Sequence, residues 1–220
     1  GGALAIFLIV TRRRLDFTRR TLAILLLSAA FFAVDLWSWH RSIGYVGPGL
    51  ATLLGNFQVF FAALAGFFLL HQRPPARQLI AIPLALAGLA LIVGVDWRAL
   101  PADYRLGLVF GLITAVTYAG YLLTLRQARA QSAHRSAARE VAVVSLLTAA
   151  LLGVAAIGEG VSLAIPSAAD AGWLLSYGIV SHCVGWLLIA GSLPRVSAAE
   201  AGIALLLQPT LSFAWDVLFF

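Results

Sequence analysis

The chain predicts an all-α polytopic membrane protein arranged as an inverted repeat of five-helix halves, and three observations carry that expectation. The sequence is 61% apolar and only 11% charged, whereas a soluble domain is typically about 25% charged. Its apolar runs are too long for strands and lack period-two alternation. Its 15 basic residues are all arginine and sit mostly between apolar runs, where they set orientation and do not point to nucleic acid.

Charges and Gly/Pro turns bound one partial and seven complete spans. These cover residues 1–10, 21–42, 48–70, 76–95, 106–127, 140–158, 169–192 and 196–220. The first run is too short to cross, since about 20 apolar residues are needed. It reads as the tail of a helix, because a signal peptide carries its positive charges before the apolar run. The chain has no Met and stops inside the run that ends at Phe220, so truncation to about helices two to nine of ten is expected. The single cysteine, Cys183, excludes an intramolecular disulfide and a multi-Cys metal site.

Alternate loops hold Arg12, Arg13, Arg14, Arg19 and Arg20, then Arg73 and Arg77, then Arg126, Arg129, Arg135 and Arg139, then Arg195. The intervening loops hold only Arg41, Arg98 and Arg105. That bias predicts cytoplasmic Arg-rich loops in a bacterial inner membrane. Sliding the chain by 150 sets Ser42 over Ser192, Val46 over Val196, Ala51 over Ala201 and Gln58 over Gln208. The first of these loops lies outside and its partner inside, so the halves would be inverted, with an odd number of spans each. The expected division is a first repeat at 1–95, a periplasmic linker at 96–105 and a second repeat at 106–220.

The stretch SLPRVSAAEAGIALLLQPTLSFAWDVLFF resembles the EamA repeat of the drug/metabolite transporter superfamily. Glu200, Gln208 and Pro209 match its small-residue turn and proline-bearing helix. GPGLATLLGNFQVFFAALAGFFLLHQRP resembles the other half, with His71-Gln72-Arg73 in place of Gly-Glu-Arg and Phe57 or Val59 in place of the proline. The resemblance implies ten helices in two inverted five-helix repeats and export of small metabolites.

Side chains that hydrocarbon rejects are the candidate pathway, because a buried unpaired polar group costs several kcal/mol. Asp35 shares a helix face with Ser38, Trp39 and Ser42. It reads as a substrate-amine or proton site, or as a carboxyl capped by Trp and Ser donors. His182, with Trp186 on its face, is expected to approach Asp35 across the pseudo-two-fold axis and exchange a proton; the plainer reading is a packed histidine. Asn56 reads as pathway lining, and Gln58, on the Gly/Ala face, as interhelical glue. Gln208, Ser212 and Asp216 step by four into a polar stripe beside the kink expected at Pro209; solvation at the helix end also explains Asp216. Thr114, Thr117, Tyr118 and Tyr121 form another stripe, with Tyr118 expected to be buried, and Gly107-xxx-Gly111 reads as close packing. His40 and Arg41 read as a snorkelling pair at a helix end.

These residues predict a secondary transporter of small organic metabolites such as amino acids. No cofactor is implied, and no GxxxxGK[ST] loop for ATP is present. Expected partners are the small-molecule substrate, protons and the lipid bilayer, with no nucleic acid, in a monomer or homodimer. The alternative is an intramembrane enzyme centred on His182 and Asp35 with Ser181 or Ser176 as nucleophile. No HExxH or GxSxG is present to support it.

Overall fold

In hydrocarbon every backbone N–H and C=O must be satisfied internally, which leaves helices as the economical solution for these apolar runs. A computed structural model describes residues 2–10, 17–70, 80, 83–84, 87–88, 100–131, 136–197, 200 and 204. Its elements are α1 (Gly2–Val10), α2 (Arg19–Gly55), α3 (Gln58–Leu70), α4 (Ala102–Ala130), α5 (Ala138–Gly158) and α6 (Ala168–Tyr177), followed by a π-helical stretch (Gly178–Gly185), α7 (Trp186–Ser192) and a 3-10 turn (Leu193–Arg195). The spans expected at 76–95 and 196–220 fall almost wholly outside the described residues.

The apolar stretch Arg19–Phe68 is 50 residues long. As one rod it would measure about 75 Å, against roughly 30 Å of hydrocarbon. The chain resolves this at Gly47, where φ is 82° and ψ 162°, a left-handed backbone that glycine adopts without a Cβ clash. Pro48 then opens the second arm, where its missing N–H costs nothing.

The fold-back is visible in what each arm touches. A Cβ built on Gly111 would lie 2.5 Å from Leu54 Cδ1 and 3.1 Å from Ser42 Oγ. An unbroken helix would hold those two residues about 18 Å apart along its axis. Likewise Thr114 Oγ1 donates to the Asp35 carbonyl at 3.4 Å, while its methyl is 3.3 Å from a Cβ position on Gly55. Both arms therefore flank α4, and the Gly/Pro turn expected from the sequence is a helical hairpin. A second break comes at Asn56 and Phe57, where Val59 N–H bonds Asn56 O and Phe60 N–H bonds Phe57 O. These i→i+3 bonds tighten the chain before α3 begins.

The described residues fall in two compact units, one within Gly1–Ala33 and Gly120–Ser197, the other within Val34–Ala119 and Ala198–Phe220. In the first, Leu25, Ala29 and Phe32 of α2 are buried, as are Tyr121 and Leu125 of α4 and Val141 and Val144 of α5. Ser28 Oγ donates to Tyr121 O at 3.5 Å and Thr148 Oγ1 to Ala29 O at 3.3 Å. A Cβ on Gly120 would meet the Phe31 ring at 2.9 Å, so the helices touch backbone to ring there. Short α1 packs along α5.

The helices are inside-out relative to those of a water-soluble protein. Along α2 the polar residues Thr21, Ser28, Asp35 and Ser42 recur every seventh position and all are buried, while Leu22, Leu26 and Val34 are exposed. A seven-residue spacing returns to nearly the same helix face, so one seam of α2 is polar and the opposite side is hydrocarbon. Exposed leucines need no partner when the solvent is lipid. Besides Arg19–Phe68, the stretches Ala102–Ala130, Ala138–Gly158 and Ala168–Arg195 are long and apolar enough to cross a bilayer.

Candidate functional site

The polar seam places Asp35 inside the second unit at 5% exposure. Thr114 fixes that point of α2 through its bond to the Asp35 carbonyl. Tyr118, one turn further along α4, stands near enough to feel the Asp35 carboxylate electrostatically. Ser38, one turn from Asp35, is completely buried, and so is Gln58 at the start of α3. Among the described residues, the Ser38 hydroxyl and both polar atoms of the Gln58 carboxamide have no hydrogen-bond partner.

Gln58 thus differs from its expected role, since an amide that bonds nothing is not gluing helices together. Asn56 is half-buried, and its Nδ2 donates to Thr52 O at 2.8 Å on its own helix. That bond caps the turn preceding the break. Trp39 is half-buried, with its ring edge-on to His40 at 5.1 Å. His40 Nδ1 bonds Leu36 O at 2.7 Å, and the Arg41 guanidinium lies 3.7 Å over the Trp37 ring. Arg41 is therefore held by a cation–π contact at the helix end. Tyr118 is half-buried, and Thr117 of the same predicted stripe turns its hydroxyl back to Ile113 O.

The first unit carries a different cluster. Phe32 and Tyr121 stack with centroids 4.2 Å apart. Trp186 meets both edge-on, at 5.3 Å from Phe32 and 4.8 Å from Tyr121. His182 lies nearly parallel to Phe32 at 6.2 Å, and its Nε2 is 2.7 Å from Ser145 Oγ. The sequence reading found His182 and Trp186 but missed Ser145, which approaches from α5. It also missed the π-helical winding of Gly178–Gly185 around His182, a distortion often found at functional positions. A glycine at each end of that stretch is the only sequence hint.

His182 and Asp35 lie in different units, so each has its own set of neighbours. Ser176 and Ser181, considered as nucleophiles, are exposed. The hydroxyl that reaches His182 is Ser145. Gln208, Ser212 and Asp216 lie outside the described residues. Among the described residues, no group of three or more His, Cys, Asp or Glu is placed to hold a metal ion.

Near the end of α4 and the start of α5, Arg129 Nη1 and Glu140 Oε2 form an ion pair at 3.3 Å with 3% and 0% exposure. Arg129 Nε also donates to Ala190 O of α7 at 3.1 Å, joining three helices. Nearby, the Arg139 guanidinium lies 4.7 Å over the Phe17 ring. Two of the arginines that the sequence assigned to a loop thus close the helix ends.

Long apolar helices with polar seams turned inward define a polytopic membrane protein. Residues 1–94 of the 220-residue chain match the model of the EamA-like transporter family, the likeness that the sequence motifs imply. The matched part contains Asp35, Ser38, Asn56 and Gln58. No curated protein and no solved structure matches the chain.

Proposed function

We propose that the protein is a secondary transporter of the drug/metabolite superfamily, moving small organic metabolites such as amino acids by alternating access between inverted repeats. Export is the proposed direction, out of a bacterium across the inner membrane, with Arg-rich loops in the cytoplasm. The observation that supports this reading most is the burial of Asp35, Ser38 and Gln58 inside the EamA-matching region. A bilayer protein that keeps a carboxyl group and an unbonded amide in its interior holds them at a cost of several kcal/mol unless something polar visits them.

In this reading Asp35, Trp39, Asn56 and Tyr118 line one part of the pathway, and His182 with Trp186 another. Gln208, Ser212 and Asp216, which lie outside the described residues, are assigned to the same pathway from their four-residue spacing in the sequence. His182 is the proposed proton-exchange group, with its Nε2 facing the Ser145 hydroxyl. The substrate leaves chemically unchanged, which separates a carrier from an intramembrane hydrolase working through Ser145 and His182.

The test is uptake of a panel of ¹⁴C-labelled amino acids into proteoliposomes. Wild type should accumulate at least one of them intact, Asp35→Asn should lower its initial rate about tenfold or more, and His182→Gln should alter the pH profile. Failure of wild type to move any member of the panel, or recovery of a cleaved product, refutes the carrier.

A further inference from the structure

Among the described residues of the second unit, three atoms are completely buried and have no hydrogen-bond partner: Ser38 Oγ, Gln58 Oε1 and Gln58 Nε2. Each such orphan costs about 1–3 kcal/mol on mutational scales. An apolar residue at either position would remove that cost without touching another bond. The chain instead keeps an amide and a hydroxyl buried in the same unit as a buried acid.

The packing register brings Asp35, Ser38 and Gln58 to within about a turn of Thr114 along α4. Contacts along α4 run from Gly107 against Val46, through Gly111 against Ser42 and Leu54, to Thr114 against Asp35 and Gly55. One turn beyond Thr114 is Tyr118, and roughly one turn beyond Gly55 is Gln58. Ser38 lies one turn from Asp35 on the same buried face. All these residues belong to one compact unit.

We propose that Asp35, Ser38 and Gln58 form a receptor for the primary ammonium group of an apolar amine that also carries a neighbouring hydrogen-bond acceptor. An ammonium has three N–H donors. The Asp35 carboxylate, Ser38 Oγ and Gln58 Oε1 accept one each, and the Asp35 charge is neutralised in place. Gln58 Nε2 remains as a donor for the ligand's own carbonyl or hydroxyl. A bare proton on Asp35 would leave the amide and the hydroxyl unsatisfied, and an uncharged apolar ligand would satisfy none of the three. Binding at this site stands apart from the transport reading, on which the inference rests only for the ligand's passage across the bilayer.

The probes are L-phenylalaninamide and its deaminated counterpart 3-phenylpropanamide, which share ring and amide and differ by the ammonium. Binding to the whole purified protein is measured by isothermal titration, and the melting temperature of each unliganded variant is recorded. Wild type should prefer L-phenylalaninamide at least tenfold, and Asp35→Asn should erase that preference. Gln58→Leu should weaken L-phenylalaninamide about tenfold or more, the loss expected for a hydrogen bond to a charged group. The same variant should melt no lower than wild type when empty, since it removes an orphaned amide; a structural glutamine would melt lower.

The proposal is overturned if wild type binds neither probe or binds both equally. It is also overturned if Gln58→Leu lowers the melting temperature and leaves the affinity unchanged, or if sodium chloride alone gives a Gln58-dependent stabilisation that L-phenylalaninamide does not. Tight, Gln58-dependent binding without flux through wild-type proteoliposomes would uphold the ammonium site and refute the carrier.

Discussion

Replacing Arg129 with Met should strip the charge partner from Glu140, which is completely buried. At 3.3 Å and an effective dielectric of about 20, the pair attracts by about 5 kcal/mol. Much of that offsets the desolvation of the two ions, so the pair contributes little net stability compared with an apolar pair of the same size. Removing one partner is different, because the other stays buried and loses this ion pair, at a cost of about 3–5 kcal/mol. Arg129→Met also loses the bond to Ala190 O that fastens α7. For a chain of this length each kcal/mol shifts the midpoint by about 2–4 °C, so the single variant should melt about 6–20 °C lower. Arg129→Met/Glu140→Leu should recover most of the loss. Circular dichroism melts in detergent for wild type, both single variants and the double variant complete the cycle. If the double variant falls by the sum of the singles, the two residues are uncoupled and the reasoning fails.

Two further predictions concern backbone and packing. Gly107→Ala puts a Cβ 2.5 Å from Val46 Cγ1 and 2.6 Å from Tyr45 Cβ, so it should cost about 1–3 kcal/mol by overpacking, read as a lower melt. Gly153→Ala meets nothing within 4 Å and should be neutral or stabilise by up to about 1 kcal/mol, as helix propensity dictates; equal effects at the two sites would remove the close-packing argument. Gly47→Ala forces an L side chain to φ 82° and should destabilise by about 1–2 kcal/mol, even though a Cβ there has open space. An unchanged melt would mean that the hairpin does not depend on that conformation.

The crossings were legible because hydrocarbon imposes length and polarity on every run, whatever its neighbours. The span read at 106–127 lies inside a helix that runs a few residues further at each end, and that at 21–42 lies inside one that starts at Arg19 and continues past it to the kink at Gly47 and on to Gly55. Charges such as Arg19 and Arg129, taken as loop residues, are tolerated in a terminal turn. Gly47-Pro48 was legible because only a few backbone states suit that pair. The break at Asn56 and the wide winding of Gly178–Gly185 were not, since an apolar run carries no local mark of i→i+3 or i→i+5 bonding. At the site, Asp35 was found from its charge alone. Ser145 was invisible, because its contact with His182 spans 37 positions and a serine in a membrane helix usually bonds its own turn. Gln58 was recognised but given the wrong kind of work: its glycine-rich face suggested contact, and only the packed structure shows that its amide atoms meet no partner. The seven-residue recurrence from Thr21 to Ser42 was present in the letters, and measuring polar rather than apolar periodicity along α2 would have exposed it.

The tight bend at Gly47 also bears on how the protein is made. An acid at mid-helix is poorly tolerated by the insertion machinery, at about 2.5–3.5 kcal/mol for a lone strand of nascent chain. With so short a connector, the segment bearing Asp35 and its successor are expected to enter the bilayer as a pair, which would spare the first from being judged alone. Lengthening the connector would let each half be sorted on its own merits, and the first half would then be the one at risk of rejection.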